Sequence, residues 1–261
     1  MTLYEKLQEL KDFRCDDRCV LTVYLNTDPA DRDHQNGAWK IELKSGLKRL
    51  DQYLAASKDD KELKAFKKMK ERVLKEIEDH QSDLHKGVIL FASPHENLWS
   101  VHYVQVPVES EFYWEDRPMT EQFEKLLKAY PSSAVVLPSY AEIRLLDTEL
   151  GTVREEVYYE FDHGIDVWHE RKGNTSTSGS NNRLPELDAR MRENLNRFYK
   201  EIASKVEDMK NGRGWKEIHI IGETESANTF AESLRGKPDS TKYKNLNNAV
   251  AKKVLFEVFD N

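Results

Sequence analysis

Between His169 and Arg183 the chain carries almost nothing that needs burial. Gly173 and Gly179 free their backbone amides, Thr175 to Ser178 and Ser180 offer hydroxyls, and Asn181 and Asn182 offer carboxamides. Such groups suit phosphate oxygens, sugar hydroxyls and base edges rather than an apolar ligand. From Arg171 to Lys200 seven bases (Arg171, Lys172, Arg183, Arg190, Arg192, Arg197 and Lys200) stand against three acids (Glu186, Asp188 and Glu193). The whole chain is acidic, with 40 basic and 47 acidic side chains and a net charge of −7. General attraction to nucleic acid is therefore excluded, and RNA contact has to come from this local patch. The same composition also fits a surface loop without a role.

Other groups with chemical potential fall away one by one. Cys15 and Cys19 are the only cysteines, and no further Cys or His cluster completes a metal site of about four ligands, so two thiols are expected and no metal. His102 lies on a strand-like segment and reads as an edge residue. Ser139 lacks the Gly-x-Ser-x-Gly setting of a nucleophile. A two-metal nuclease needs converging carboxylates, yet Leu137-Pro138-Ser139 ends its strand without an acid, and Asp147 and Glu223 lie at other strand ends. Glu223 and Glu225 would repel a dinucleotide phosphate after Gly222. No cofactor is implied.

The elements that must hold the polar stretch follow from periodicity. Val20–Leu25 is a strand stopped by Asn26–Pro29. Ile41, Leu43, Leu47, Leu50 and Leu54, then Leu63, Phe66, Met69, Val73 and Ile77, predict an antiparallel helical hairpin over 38–80. Gly87–Ser93 and Trp99–Val104 are strands, and Glu121–Ala129 is a short helix. Ala134–Leu137, Ala141–Leu146 and Val153–Glu160 are three more strands, with Leu150-Gly151 as a tight turn between the last two. A loop over 169–183 leads into a long helix from Pro185 to Met209. Glu217–Gly222, a helix from Ser226 and a final strand Val254–Phe259 make a parallel crossover. The fold class is α/β: an α+β domain over 1–117 with the helical hairpin, then a ribonuclease-H-like mixed-sheet domain over 118–261.

In this order the elements resemble the archaeo-eukaryotic class-one release-factor and Pelota family, specifically its shorter bacterial relatives. The Val20–Thr27 and Gly87–Pro94 strands and Val106-Pro107-Val108 match its N-terminal domain. Ala134–Thr148, the loop, Met191–Ala203 and Ile218–Gly222 match its central domain. The resemblance implies a loop reaching the peptidyl-transferase centre, where release factors carry Gly-Gly-Gln to position water against the peptidyl-tRNA ester. Counting back without gaps from Phe198–Ala203, that tripeptide falls on Ser180-Asn181-Asn182; a shift of one or two residues brings Gly179 into it. Asn182 is one methylene shorter than glutamine, and losing an oriented oxyanion donor costs about 10²–10³ in rate. The Pelota branch lacks the tripeptide and acts by docking.

The expectation is a cytoplasmic ribosome-associated factor in rescue, quality control or hibernation. It would dock near the A site, with ribosome, rRNA and tRNA as partners, and without efficient hydrolysis. Gly179, Ser180, Asn181 and Asn182 form its tip, and Arg171, Lys172, Arg183, Arg190, Arg192 and Arg197 its RNA contacts. A peptidyl-tRNA or tRNA hydrolase and a non-RNA interaction module stay open as alternatives. No apolar run spans a bilayer, and no signal peptide opens the chain. The chain ends soon after the central domain, so recruitment of a GTPase is not expected.

Overall fold

A computed structural model describes residues 2–28, 30, 37–57, 59–94, 98–140, 142–162, 167–172 and 189–259. The chain divides into two compact units, Met1–Ala129 and Tyr130–Asn261.

The first unit begins with α1 (Leu3–Asp12), started by a capping box in which Thr2 Oγ1 accepts from Glu5 N and Glu5 accepts from Thr2 N. There follow β1 (Val20–Asn26), α2 (Ala38–Ser57), α3 (Asp60–Asp79), β2 (Gly87–Ala92), β3 (Trp99–Val104), β4 (Glu111–Glu115) and α4 (Glu121–Ala129). The strands form an antiparallel sheet in the order β3-β2-β1-β4. Strand periodicity sends Leu21, Val23 and Leu25 of β1 into one core with the apolar rows of α2 and α3. Tyr24 and Phe91 belong to the opposite face, where Phe123 of α4 packs 5.8 Å from Phe91 and its N–H donates to the Tyr24 hydroxyl. Asp59 caps α3 by accepting from the amides of Lys61 and Glu62. At Gly46 a Cβ would come within 2.4 Å of the Phe112 ring, so only glycine lets α2 lie this close to β4.

In the second unit β5 (Ser133–Pro138), β6 (Glu142–Glu149), β7 (Thr152–Asp162) and β8 (Val167–Lys172) form an antiparallel meander. Then come α5 (Ala189–Arg213), β9 (Glu217–Gly222), α6 (Thr224–Ser233), β10 (Ser240–Tyr243) and α7 (Ala251–Phe259). The sheet runs β10-β9-β5-β6-β7-β8, with β9 parallel to β5 and β10 parallel to β9. This is the expected ribonuclease-H-like order, with β8 added at one edge. Leu150 and Gly151 both adopt positive φ, 48° and 71°, the tight hairpin turn between β6 and β7. Helices α5 and α6 cover one face, and α7 with Leu246 covers the other.

Four expectations are corrected. Val254–Phe259 is helical, because Val254, Leu255, Val258 and Phe259 fall on one helical side that packs on the sheet. The closing parallel strand is instead β10, a polar edge strand held by its backbone and by Ser240 against His219. Residues 169–172 are not loop but the end of β8, a charged edge strand. Cys15 and Cys19 are joined as a disulfide with their Cα atoms 6.3 Å apart, since both backbone amides bond to the end of β4, at Asp116 and Glu115.

The long helix runs past Met209 to Arg213; it is described from Ala189, and Pro185 to Asp188 lie outside the described residues. The first compact unit includes α4, which is tied to α1 by Tyr4 donating to the Leu127 carbonyl and by the Lys11–Glu124 pair.

Candidate nucleic-acid interface

Arg171 and Lys172 end β8, the outermost strand beside β7. Alternation points them to opposite faces. Arg171 lies opposite Tyr158 in register, with its guanidinium 4.5 Å from that ring's centre. Its Nε donates to Glu160 Oε1 at 2.8 Å, and another nitrogen lies 3.9 Å from Glu142. Burial and the neighbouring Glu160 raise the Glu142 carboxyl above its ordinary range, against the pull of Arg171 and Arg144. Arg171 thus holds two carboxylates together and stacks on an aromatic ring.

Lys172 is different. Its ammonium lies 2.8 Å from Glu155, but the side chain is 64% exposed. Hydrogen bonds from Lys172 and Arg213 push the Glu155 carboxyl below the usual range. Arg213, the last residue of α5, also reaches Asp147 at 2.8 Å. Asp147 is buried and accepts from the Trp215 indole at 2.7 Å and from Arg154 at 2.8 Å, while Arg154 continues to Glu149 at 3.1 Å. A ladder of alternating charge therefore runs from the end of β8 to the end of α5. Buried carboxylates of this kind persist because donors surround them.

Arg197 stands on α5 with its guanidinium 5.3 Å from the centre of the Phe198 ring. Phe198 packs edge-on against Trp168 at 5.2 Å, which ties α5 to β8. Arg190 and Arg192 lie in the first turns of α5, and their side chains fall outside the described residues. Gly179, Ser180, Asn181, Asn182 and Arg183 belong to 173–188, which also lies outside them.

Among the groups weighed for other chemistry, Asp147 is taken up by bases, and Ser139 Oγ donates to the Glu142 carbonyl. The Glu223 side chain makes no cap on α6 and accepts from Asn245 at 2.8 Å. Among the described residues no three His, Cys, Asp or Glu are grouped to hold a metal, and no helix is long and apolar enough to cross a membrane. Glu142, Glu155 and Glu160, the partners of the candidate bases, went unnoticed in the sequence. The available signal was charged residues recurring along the meander strands, where a half-buried sheet is otherwise apolar.

Residues 131–260 match the sequence family described as bacterial archaeo-eukaryotic release factor family 5. A protein of Bacillus subtilis (strain 168), the uncharacterized protein YocB, is 32% identical over 240 residues, covering 90% of each chain. Two solved structures are similar over 98% of this chain and 72% of theirs, each at 12% identity. They are an archaeal translation termination factor, aRF1, with a TM-score of 0.37, and an archaeal protein with a TM-score of 0.36.

Proposed function

The chain belongs to the bacterial archaeo-eukaryotic release factor family, and from that premise we propose that this translation-related factor docks in the ribosomal A site without cutting. In this reading residues 173–183, the part of the polar stretch beyond β8, reach toward the peptidyl-transferase centre, and the factor serves rescue, quality control or hibernation in the cytoplasm. The observation that carries this reading is that the chain contains no Gly-Gly-Gln; an ungapped count puts Ser180-Asn181-Asn182 at its place, and a shift of one or two residues brings in Gly179. Neither position before Asn182 is glycine, so the backbone lacks the freedom to approach the ester, and the carboxamide is short. Hydroxyls and carboxamides at the tip still bind RNA phosphates and sugars.

Within this reading the described bases divide their work. Arg171 is committed to Glu160 and Glu142, so it shapes the sheet edge. Lys172 keeps an exposed ammonium that can exchange Glu155 for a phosphate. The test is incubation with stalled ribosomes carrying a labelled nascent peptide. Ribosome-bound protein with the peptide still on its tRNA is the expected result. Free peptide or cleaved tRNA, lost in an Asn182→Ala variant, would instead make the protein a hydrolase.

A further inference from the structure

The α2–α3 hairpin concentrates positive charge in an otherwise acidic unit. Residues 40–75 hold twelve Lys or Arg against six Asp or Glu, whereas the rest of 1–129 holds nine against nineteen. On α3 the residues Phe66, Met69, Val73 and Ile77 are buried. Helical periodicity places Lys64, Lys68 and Lys75 on the opposite side, with Lys67 turned toward α2, and all four are exposed. From α2, Lys44 and Lys48 are exposed on the flank nearer α3. Lys70 is paired with Asp51 at 2.7 Å, and Arg72 lies over the Trp99 ring at 4.3 Å. Among the described residues no carboxylate lies within ion-pair reach of Lys64, Lys67, Lys68 or Lys75.

This arrangement does not serve the helix itself. A helix is stabilised by bases in its last turn, yet the last turn of α3 holds none and ends in Glu76, Glu78 and Asp79. Between Glu62 and Glu71 lie Lys64, Lys67, Lys68 and Lys70 with no acid, so like charges repel at spacings of three and four, which Asp60 and Glu71 at the same spacings offset only in part. We propose that the outer face of this hairpin is a second RNA-docking surface, its lysines reading the phosphate backbone of a structured RNA. Lys64 to Lys75 spans about 16 Å along the helix axis, enough to meet several phosphates of one strand. A membrane is a poorer match, because the apolar side of α3 is consumed in the core and the exposed Ile41 and Tyr53 of the neighbouring helix stand at its opposite ends rather than forming an apolar face.

The inference rests on the RNA-facing reading of the chain but is tested apart from it. The probe is a labelled RNA hairpin of about 20 base pairs, titrated with the full chain across a salt series. The variant is Lys64→Gln, Lys67→Gln and Lys68→Gln combined, with circular dichroism as a check that these exposed changes leave the fold intact. Binding about tenfold weaker at low salt, with the salt slope reduced by about 2–3, is expected. A change of less than twofold overturns the inference, as does preference for phosphatidylserine vesicles over the RNA. If wild type binds the hairpin through these lysines but never sediments with ribosomes, the A-site reading fails and this one stands. If the triple variant sediments with ribosomes as well as wild type does, this one fails and the A-site reading stands.

Discussion

Two sets of basic side chains, one in each unit, are handled in opposite ways. Around the β6–β8 edge, Arg144, Arg154, Arg171 and Arg213 each bond to a carboxylate, and Arg171 and Arg213 also lie near an aromatic ring. On the α3 face, Lys64, Lys67 and Lys68 have no such partner among the described residues. The contrast separates charge that builds a fold from charge left available. Arginine's planar fork suits fixed carboxylates, while lysine's hydrated ammonium on a flexible stem suits a mobile anion. A count of bases along the sequence cannot make this distinction.

The largest effect expected from breaking this contrast lies at Asp147. Asp147→Ala removes the acceptor shared by Arg154, Arg213 and Trp215, and should cost about 3 kcal/mol in urea unfolding. Asp147→Asn keeps one acceptor and should lose less. Equal stability of both variants with wild type would show that the ladder does not hold the second unit together.

Next in size is a pH effect in the first unit. Burial lowers His102 to about 4, and the ring stacks on Phe123 at 5.5 Å. The unfolded chain takes up a proton near pH 6.5 that the folded chain refuses, so stability falls as pH drops from 6.5 toward 4. The slope is at most about 1.4 kcal/mol per unit for this group. His102→Gln should flatten that part of the curve. Glu155 acts with the same sign at lower pH: its lowered carboxyl contributes stability above the unfolded value of 4.5, and this is lost as pH falls below that value. A stability loss near pH 6 that persists unchanged in His102→Gln would assign the effect to another group, with buried His219 the first candidate.

Smaller effects sharpen the comparison. Lys172→Ala breaks an exposed pair and should change stability by less than about 0.5 kcal/mol while weakening ribosome binding. The triple glutamine variant of α3 should be as stable as wild type or slightly more so, since it relieves repulsion. A clear loss of stability there would mean the lysines have structural partners after all.

Much of this architecture is legible in the sequence. The rows Phe66–Ile77 on α3 and Leu43–Leu54 on α2 announce the hairpin because one face of each is apolar at helical spacing. Leu150-Gly151 announces a turn because glycine tolerates positive φ. The elements that escaped are short or polar. Strand β10 reads Ser-Thr-Lys-Tyr, and β8 ends in Glu-Arg-Lys, since edge strands are held by backbone hydrogen bonds that side-chain patterns do not record. Val254–Phe259 was misread because a short apolar run fits strand and buried helix alike. Of the candidate site, the local excess of bases was visible. Their partners were not, because Glu155 meets Arg213 only through the packing of α5, far along the chain, and Glu160 meets Arg171 only through the register of β7 against β8.

The central claim is that this family member docks on the ribosome through the polar segment it carries in place of a Gly-Gly-Gln tip. Co-sedimentation with purified bacterial ribosomes across a salt series tests it most directly, comparing wild type with a chain whose residues 173–188 are replaced by a Gly/Ser linker of equal length. Wild type should pellet with ribosomes at low salt and dissociate as salt rises, and the linker variant should pellet much less. Absence of wild type from the ribosomal fraction at every salt concentration, or equal pelleting of the two chains, would contradict the account.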